Sequence, residues 1–171
     1  MKKKILISLT IPIICAVLII ILVKSNGKKY YESNAYTWYT VIGSKDGDLL
    51  VRGRKIDHIK NNIHKLIFAL NRSEKDPETF RTPKDKDPTD PPKLKLIDIQ
   101  GPVANIKVIN GEFLTQRMGS TGAEEFLAAA TFTLTEYDPI KLVNFIFEKG
   151  DHAAPGIYSR KTFSKTWKII E

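Results

Sequence analysis

The sequence predicts one α/β domain of the α+β kind, in which a mixed sheet packs with two helices, preceded by one N-terminal transmembrane helix. Three observations predict this fold class. Residues 5–23 carry no charge, several later segments alternate apolar and polar residues, and two segments repeat apolar residues at helical spacing. The length of 171 residues favours one soluble domain, and 42% hydrophobic residues exclude a wholly disordered chain.

The first 27 residues are predicted to form a membrane anchor. The uncharged run of residues 5–23 would span about 28 Å as a helix, close to the ~30 Å hydrocarbon core of a bilayer. The alternative is a cleaved signal peptide, although the apolar part of such peptides is usually about 7–15 residues long. Lipidation of Cys15 is a third interpretation, which is disfavoured because Ile14 stands where a small residue is expected.

The anchor is predicted to place the rest of the chain outside the cytoplasm. Lysines flank the apolar run on both sides, so the positive-inside rule is nearly balanced. A long C-terminal part still favours an N-in, C-out orientation, because long domains translocate largely regardless of charge. We therefore expect a single-pass cell-membrane protein, with residues 28–35 as a tether and residues 36–171 as an extracytoplasmic domain. A single cysteine excludes an intrachain disulfide framework and a Cys-based zinc site.

The net charge of +8 does not by itself indicate a nucleic-acid partner. Four of the 27 basic residues, Lys2, Lys3, Lys4 and Lys24, flank the apolar run, whereas all 19 acidic residues follow residue 27. The remaining chain therefore carries 23 basic and 19 acidic residues, a net charge of +4. No RRM, helix-turn-helix or zinc motif accompanies this mild excess, so no nucleic-acid partner is predicted.

The first half of the domain is predicted to hold a hairpin and a helix. Residues 36–42 are rich in β-branched and aromatic residues, and residues 48–52 return after a turn that contains Asp46-Gly47. Residues 57–70 repeat apolar residues at helical spacing, with Asp57 as the N-cap. The expected buried face of this helix comprises Ile59, Ile63, Leu66, Ile67 and Leu70. Residues 71–92 hold five prolines and alternating charges, which predict a long flexible insertion.

Three strands are expected after the insertion. Residues 94–100 and 104–110 alternate apolar and polar residues, so each is predicted to have one buried face. Asn110-Gly111 predicts a second hairpin, with residues 112–116 as its returning strand.

A second helix and two more strands complete the predicted fold. The helix is expected over residues 119–136, opened by a capping box of Thr121 and Glu124. Residues 140–148 form the most apolar strand and are therefore expected at the centre of the sheet. Residues 162–170 are predicted to be a last short strand.

The residues with chemical potential do not predict an enzyme. Asp151, His152 and Arg160 form the strongest local cluster, because His152 beside a carboxylate could act as a general base. No nucleophile stands at a motif spacing from them. Glu124 and Glu125 could form an acid pair, but the helix dipole also favours acidic residues in a first turn. We therefore predict no catalytic, cofactor or metal site, and we treat these five residues as a candidate interaction surface.

Two other functions remain open at this point. Trp38, Tyr137, Tyr158 and Trp167 could form an aromatic platform that binds an envelope glycan or a small ligand. An envelope enzyme acting on cell-wall material would instead require Asp151, His152 or the two glutamates to converge in a pocket.

Several short segments also occur in a recognisable order. The most specific is Thr-Leu-Thr-Glu at residues 133–136, followed by an apolar strand that leads to Gly150. Together the segments resemble the GerMN domain, also called the sporulation and spore germination domain, over roughly 105 residues. The 71–92 insertion and the extension after Gly150 depart from that pattern. The matching segments are residues 48–54, 57–70, 108–114, 119–120, 129–137 and 140–145.

The resemblance implies a non-enzymatic α/β domain of the bacterial cell envelope. Members of that family occur in lipoproteins and membrane-anchored proteins, and some are needed for sporulation or germination. Their fold is similar to the ring-building domains of envelope machines, which assemble through protein–protein contacts. The expected partners are therefore the membrane and either an envelope protein or further copies of the same chain.

Overall fold

The strands of the protein form two mixed sheets. The computed structural model describes residues 34–57, 62–71 and 91–171, and within them the architecture is α+β. The prediction of one sheet was therefore wrong in that respect. The first sheet has the strand order β1-β2-β7, and the second has the order β3-β4-β5-β6. The strands are β1 (Ala35–Ser44), β2 (Gly47–Ile56), β3 (Lys93–Gln100), β4 (Val103–Ile109), β5 (Leu142–Ile146), β6 (Gly156–Tyr158) and β7 (Lys168–Ile170).

Among residues 34–57, 62–71 and 91–171, three α-helices and one π-helical turn lie between these strands. The helices are α1 (Ile63–Asn71), α2 (Gly119–Leu134) and α3 (Arg160–Phe163), and the π-helical turn is Phe113–Arg117. None of the helices in the described part of the chain is long and apolar enough to span a membrane. The predicted anchor and most of the predicted tether fall at residues 1–33, and most of the predicted insertion falls at residues 72–90; both segments lie outside the described residues.

The predicted first hairpin is confirmed. β1 pairs antiparallel with β2, from Ala35 opposite Ile56 to Ser44 opposite Gly47. Gly43 and Gly47 have φ values of 67° and 91°. These angles suit glycine because a Cβ would crowd the backbone there, which explains the tight turn.

The first helix has the predicted buried face but begins later than predicted. Within the described residues it starts at Ile63, and Asp57 lies outside it, so the position of the predicted N-cap was wrong. Ile63, Leu66, Ile67 and Leu70 are buried as predicted, because their spacing puts them on one helical face. Ile59 lies in the segment 58–61, outside the described residues.

β3 is an edge strand whose free side is partly covered. The Asn71 side chain at the end of α1 donates to the carbonyl oxygen of Leu94 and accepts from its N–H, both at 2.8 Å. A register shift between Leu96 and Asp98 then breaks the alternation of the strand. Ile97, the extra residue of this bulge, is exposed, and Ile99 near the end of the strand is exposed as well, contrary to the prediction of one continuous buried face.

The predicted hairpin after Asn110-Gly111 was wrong. Residues 113–117 form a π-helical turn, in which the Met118 N–H donates to the Phe113 carbonyl oxygen at 3.1 Å. β4 pairs antiparallel with β3 on one side and parallel with β5 on the other. A returning strand therefore has no free edge of β4 to join.

The predicted capping box of Thr121 and Glu124 was also wrong. α2 begins at Gly119, so both residues lie inside the helix, and its N-cap Met118 makes no side-chain cap hydrogen bond. Met118 already has helical backbone angles, because it also ends the π-helical turn, and Gly119 with a φ of 70° follows it. The described part of the chain has a capping box at α3 instead, where the Ser159 N–H donates to Thr162 Oγ1.

α2 lies at the centre of the fold. All of residues 126–134 are buried, which shows that the helix is surrounded rather than packed on one face. It contacts β1 of the first sheet and β5 of the second. One core joins both sheets to the helices, and Trp38, Phe132 and Phe145 are its largest fully buried side chains.

The last strands complete the two sheets. β5 is an inner strand between β4 and β6, which confirms the predicted central position of the most apolar segment. The predicted strand over residues 162–170 is confirmed only for β7, because the segment begins with the end of α3. β7 joins β2 in parallel, so the end of the chain returns to the first sheet.

Candidate interaction surface

Asp151 and His152 lie in the loop that follows β5. The His152 N–H donates to the Thr115 carbonyl oxygen at 3.1 Å, and its Nδ1 lies 3.2 Å from Ser120 Oγ. These contacts attach the loop to the π-helical turn and to the first turn of α2. Asp151 is exposed. The position of His152 is therefore explained by structural hydrogen bonds to two neighbouring elements.

Gly150 is needed for this attachment. A Cβ built on Gly150 would lie 2.5 Å from Thr115 Cβ and 2.5 Å from Gln116 Nε2. Such distances are far inside van der Waals contact, so the loop reaches the π-helical turn because residue 150 has no side chain.

Glu124 and Glu125 do not converge as an acid pair. Adjacent residues on an α-helix point about 100° apart. Burial raises the pKa of the Glu125 carboxyl, and the neighbouring Thr40 hydroxyl lowers it by less. Thr40 Oγ1 itself has no hydrogen-bond partner of normal geometry among the described residues, so its contact with the carboxyl is loose.

Arg160 lies in a different cluster from the one predicted. Its guanidinium Nη2 is 2.6 Å from Glu136 Oε1 and 3.1 Å from the Phe132 carbonyl oxygen, and its Nε donates to Thr135 Oγ1 at 2.8 Å. The same Glu136 oxygen accepts from the Trp38 indole Nε1–H at 2.9 Å. Arg160 therefore ties α3 to the C-terminal end of α2, where a cation also opposes the helix dipole favourably.

Arg52 approaches the same carboxylate from the first sheet. Its Nη2 lies 3.8 Å from Glu136 Oε1, and its guanidinium carbon lies 4.6 Å from the Tyr36 ring centroid. Arg52 and Arg160 each lie 5.4 Å from the Trp38 ring centroid, a distance at which cation–π attraction acts. Two arginines and one buried indole therefore share a single carboxylate that is 8% exposed.

The Thr-Leu-Thr-Glu segment is thus a structural junction. Thr133 Oγ1 accepts from the Trp38 backbone N–H at 2.9 Å, which fastens α2 to β1. Thr135 and Glu136 hold Arg160, as described above. The sequence predicted a role for this segment only through its resemblance to the GerMN domain. It did not predict that Glu136 or Arg52 would lie beside Arg160. The available signal was the alternation of hydroxyl and apolar residues at the end of an otherwise apolar helix.

The predicted aromatic platform does not form. Trp38, Tyr137 and Trp167 are buried in the core. Tyr158 is partly buried, stacks on Phe163 with a centroid distance of 5.6 Å, and donates its hydroxyl to the Ala154 carbonyl oxygen. Burial also raises the pKa of the Tyr158 phenol. These rings therefore serve packing and do not provide a flat exposed surface.

The side of the four-stranded sheet that faces away from the core is exposed and mixed in character. We call it the outer face. Across it, Asn144 Nδ2 donates to Asn105 Oδ1 at 2.9 Å, and Asn105 Nδ2 in turn donates to Asp98 Oδ1. Hydrogen bonds from Asn105 and then Gln100 lower the pKa of the Asp98 carboxyl. The outer face also carries Lys95, Lys107, Ile109, Ile146 and Ile157.

No metal site is visible in the described part of the chain. Within residues 34–57, 62–71 and 91–171, no three His, Cys, Asp or Glu side chains are grouped so that they could hold a metal ion.

Comparison with known proteins gives little further information. No family model matches the chain, and no curated protein matches it significantly. A similar solved structure is the crystal structure of a protein described as a "Putative Lipoprotein" from Clostridium perfringens. It has 17% sequence identity and a TM-score of 0.42, and the match covers 78% of this chain and 93% of that chain. A TM-score of 0.42 is too low to show a shared fold. The resemblance to the GerMN domain stays a prediction.

Proposed function

We propose that this chain is a membrane-anchored, GerMN-like domain protein of the bacterial cell envelope, with a non-catalytic role in protein–protein interaction or assembly during sporulation or spore germination. The distribution of exposed apolar residues is the main observation that supports an interaction role. Five of the nine large exposed hydrophobic residues in the described ranges belong to the four-stranded sheet, and three of these, Ile109, Ile146 and Ile157, lie together on its outer face. Clustered exposed apolar side chains are typical of a surface that another molecule covers.

The arrangement of charged groups supports the same proposal. Glu136 and Arg160 make the shortest ion pair among the described residues. The contacts of this pair given above join α2, α3 and the first sheet. The pair therefore serves folding, which supports a non-catalytic domain. The uncharged run of residues 5–23 supports the anchored location, and the order of motifs supports the GerMN-like assignment.

The experiment is crosslinking in intact cells. The full, untagged chain would be detected with antibodies in vegetative and sporulating cultures after membrane fractionation and formaldehyde treatment. We expect the chain in the membrane fraction and in adducts with envelope proteins. Recovery in the soluble fraction, or no protein adduct in either culture, would count against the proposal. The mass of the mature chain also separates an uncleaved anchor from a cleaved signal peptide.

One observation favours an envelope hydrolase as a second candidate. Ser120 Oγ lies 3.2 Å from His152 Nδ1, the spacing of a hydroxyl and its general base. Among the described residues, however, the structure shows no hydrogen bond that orients the other ring nitrogen. A fluorophosphonate probe distinguishes the two functions, with Ser120→Ala as the matched control. We expect no labelling that depends on Ser120; labelling that disappears in the alanine variant would favour the hydrolase.

A further inference from the structure

The outer face carries a charge arrangement that folding alone does not favour. Lys95 of β3 and Lys107 of β4 are directly opposite each other in the antiparallel register. Like charges in this arrangement destabilise a strand pair. Among the described residues, no carboxylate lies within 4.0 Å of either ammonium group, so neither lysine forms an ion pair within the described part of the fold.

Apolar side chains lie beside Lys107 on the outer face. Ile146 of β5 is the neighbour of Lys107 on the other side, and Ile109 lies two residues further along β4. Ile109, Ile146 and Ile157 are exposed by 38%, 42% and 62% respectively. The outer face therefore has the composition of a surface that is covered in an assembly.

We propose that the outer face docks an acidic, amphipathic segment of a partner protein, an inference that rests on the proposed interaction function. Carboxylates of the partner would lie against Lys95 and Lys107, and its apolar side chains would cover Ile109 and Ile146. Carboxylates of the partner beside the two lysines would reduce the repulsion between the lysines, so charge complementarity favours binding.

The polar row across the face selects a polypeptide over the other occupants. Asn144, Asn105 and Asp98 are linked by hydrogen bonds through the middle of the face. A polypeptide can supply backbone hydrogen bonds to their remaining donors and acceptors, whereas apolar lipid would leave them unsatisfied at a free-energy cost. A second copy of the chain would bring another set of lysines, which opposes docking of two identical outer faces.

The test is site-specific photocrosslinking of the full chain in its native cells. The photoreactive residue p-benzoylphenylalanine would replace Ile146 on the outer face and, in a second strain, Lys161, an exposed residue of α3. The crosslinked segment is then identified by mass spectrometry. We expect position 146 to join a segment with net negative charge, and we expect Lys107→Glu to reduce this adduct at least tenfold.

Two further variants separate lost binding from lost folding. Lys107→Glu places a carboxylate opposite Lys95, so its unfolding midpoint should equal or exceed that of the wild type. Lys161→Glu changes net charge by the same amount away from the outer face and should leave the adduct from position 146 unchanged. A stable Lys107→Glu protein that no longer forms the adduct supports the proposal.

The contrary outcomes are distinct. Adducts from position 146 that contain only lipid, a second copy of the chain, or a neutral or basic segment would overturn the proposal. So would an acidic adduct that Lys107→Glu leaves intact. Protein adducts from position 161 but none from position 146 would overturn this surface while leaving the proposed function standing. No protein adduct from either position would count against both.

Discussion

Replacing Glu136 should destabilise the domain strongly, because three elements meet at this carboxylate. Its Oε1 accepts from the Trp38 indole at 2.9 Å and from Arg160 at 2.6 Å, and its side chain is 8% exposed. Glu136→Ala leaves the indole N–H of a fully buried Trp38 without its acceptor, at a cost of about 1–3 kcal/mol. Arg160 is one-third exposed and keeps two other acceptors, so the lost ion pair adds only about 0.5–1 kcal/mol.

The expected total for Glu136→Ala is therefore about 1.5–4 kcal/mol of unfolding free energy. Glu136→Gln keeps an oxygen acceptor for Trp38 and Arg160 and loses the charge, so it should cost about 1 kcal/mol. Glu148→Ala, at an exposed position outside the junction, should stay within about 0.5 kcal/mol of the wild type.

Equilibrium urea unfolding of the full chain in mild detergent, followed by circular dichroism and tryptophan fluorescence, measures these differences. A loss of unfolding free energy that is largest for Glu136→Ala, smaller for Glu136→Gln and smallest for Glu148→Ala is the signature of a buried junction. A Glu136→Ala protein as stable as the Glu148→Ala control would refute the reasoning, because the carboxylate would then hold nothing together.

Three further predictions concern the loop, a helix carboxyl and a sheet edge. Gly150→Ala should cost about 1–3 kcal/mol of unfolding free energy, since the new Cβ would collide with the π-helical turn. The control Gly122→Ala within α2 should be neutral or should stabilise the protein by up to about 1 kcal/mol. Thermal unfolding compares the two variants. Glu125→Gln should stabilise the protein at pH 7, because burial penalises the charged carboxyl. Asn71→Ala should cost about 1–3 kcal/mol and speed amide exchange at the start of β3, because a buried donor and acceptor lose their partners.

The sign of the Glu125 effect follows from its raised pKa. In the folded state the carboxyl binds a proton more readily than at its ordinary pKa of 4.5. The contribution of Glu125 to the free energy of unfolding is therefore fully present below about pH 4.5. This contribution is lost as the pH rises through the folded-state pKa of Glu125. The stability difference between Glu125→Gln and the wild type should be near zero in acid and grow with pH. A difference that stays constant across that range would contradict the assignment.

Local patterns were sufficient for several elements. The first hairpin follows from a β-rich run, a glycine turn and a returning β-rich run, all within about 20 residues. The buried face of α1 follows from helical spacing, and the inner position of β5 follows from its apolar composition. Each of these features depends on neighbours in the sequence, so the sequence alone could predict it.

The errors arose where distant segments decide the outcome. Asn110-Gly111 has the composition of a hairpin turn, yet both edges of β4 are taken by β3 and β5. Arg160 pairs with Glu136 across 24 residues, and Trp38 reaches Glu136 across 98. Neither contact has a local signature. The alternation of β3 likewise predicted one buried face, but a bulge in this edge strand exposed Ile97.

The outer face was not among the sequence predictions. Of the five residues expected to form an interaction surface, His152 and Arg160 belong to two separate hydrogen-bonded clusters. The outer face depends on the register of four strands, which brings Lys95 beside Lys107 and Asn105 beside Asn144. Register is a tertiary property, and for that reason composition could not reveal this face.

The most direct test of the central claim is crosslinking of the full chain in intact vegetative and sporulating cells, followed by identification of the adducts in the membrane fraction. We expect adducts with at least one envelope protein and no Ser120-dependent labelling by a fluorophosphonate probe in the same preparations. A chain found only in the soluble fraction, or one that forms no protein adduct in either culture, would contradict a membrane-anchored interaction domain.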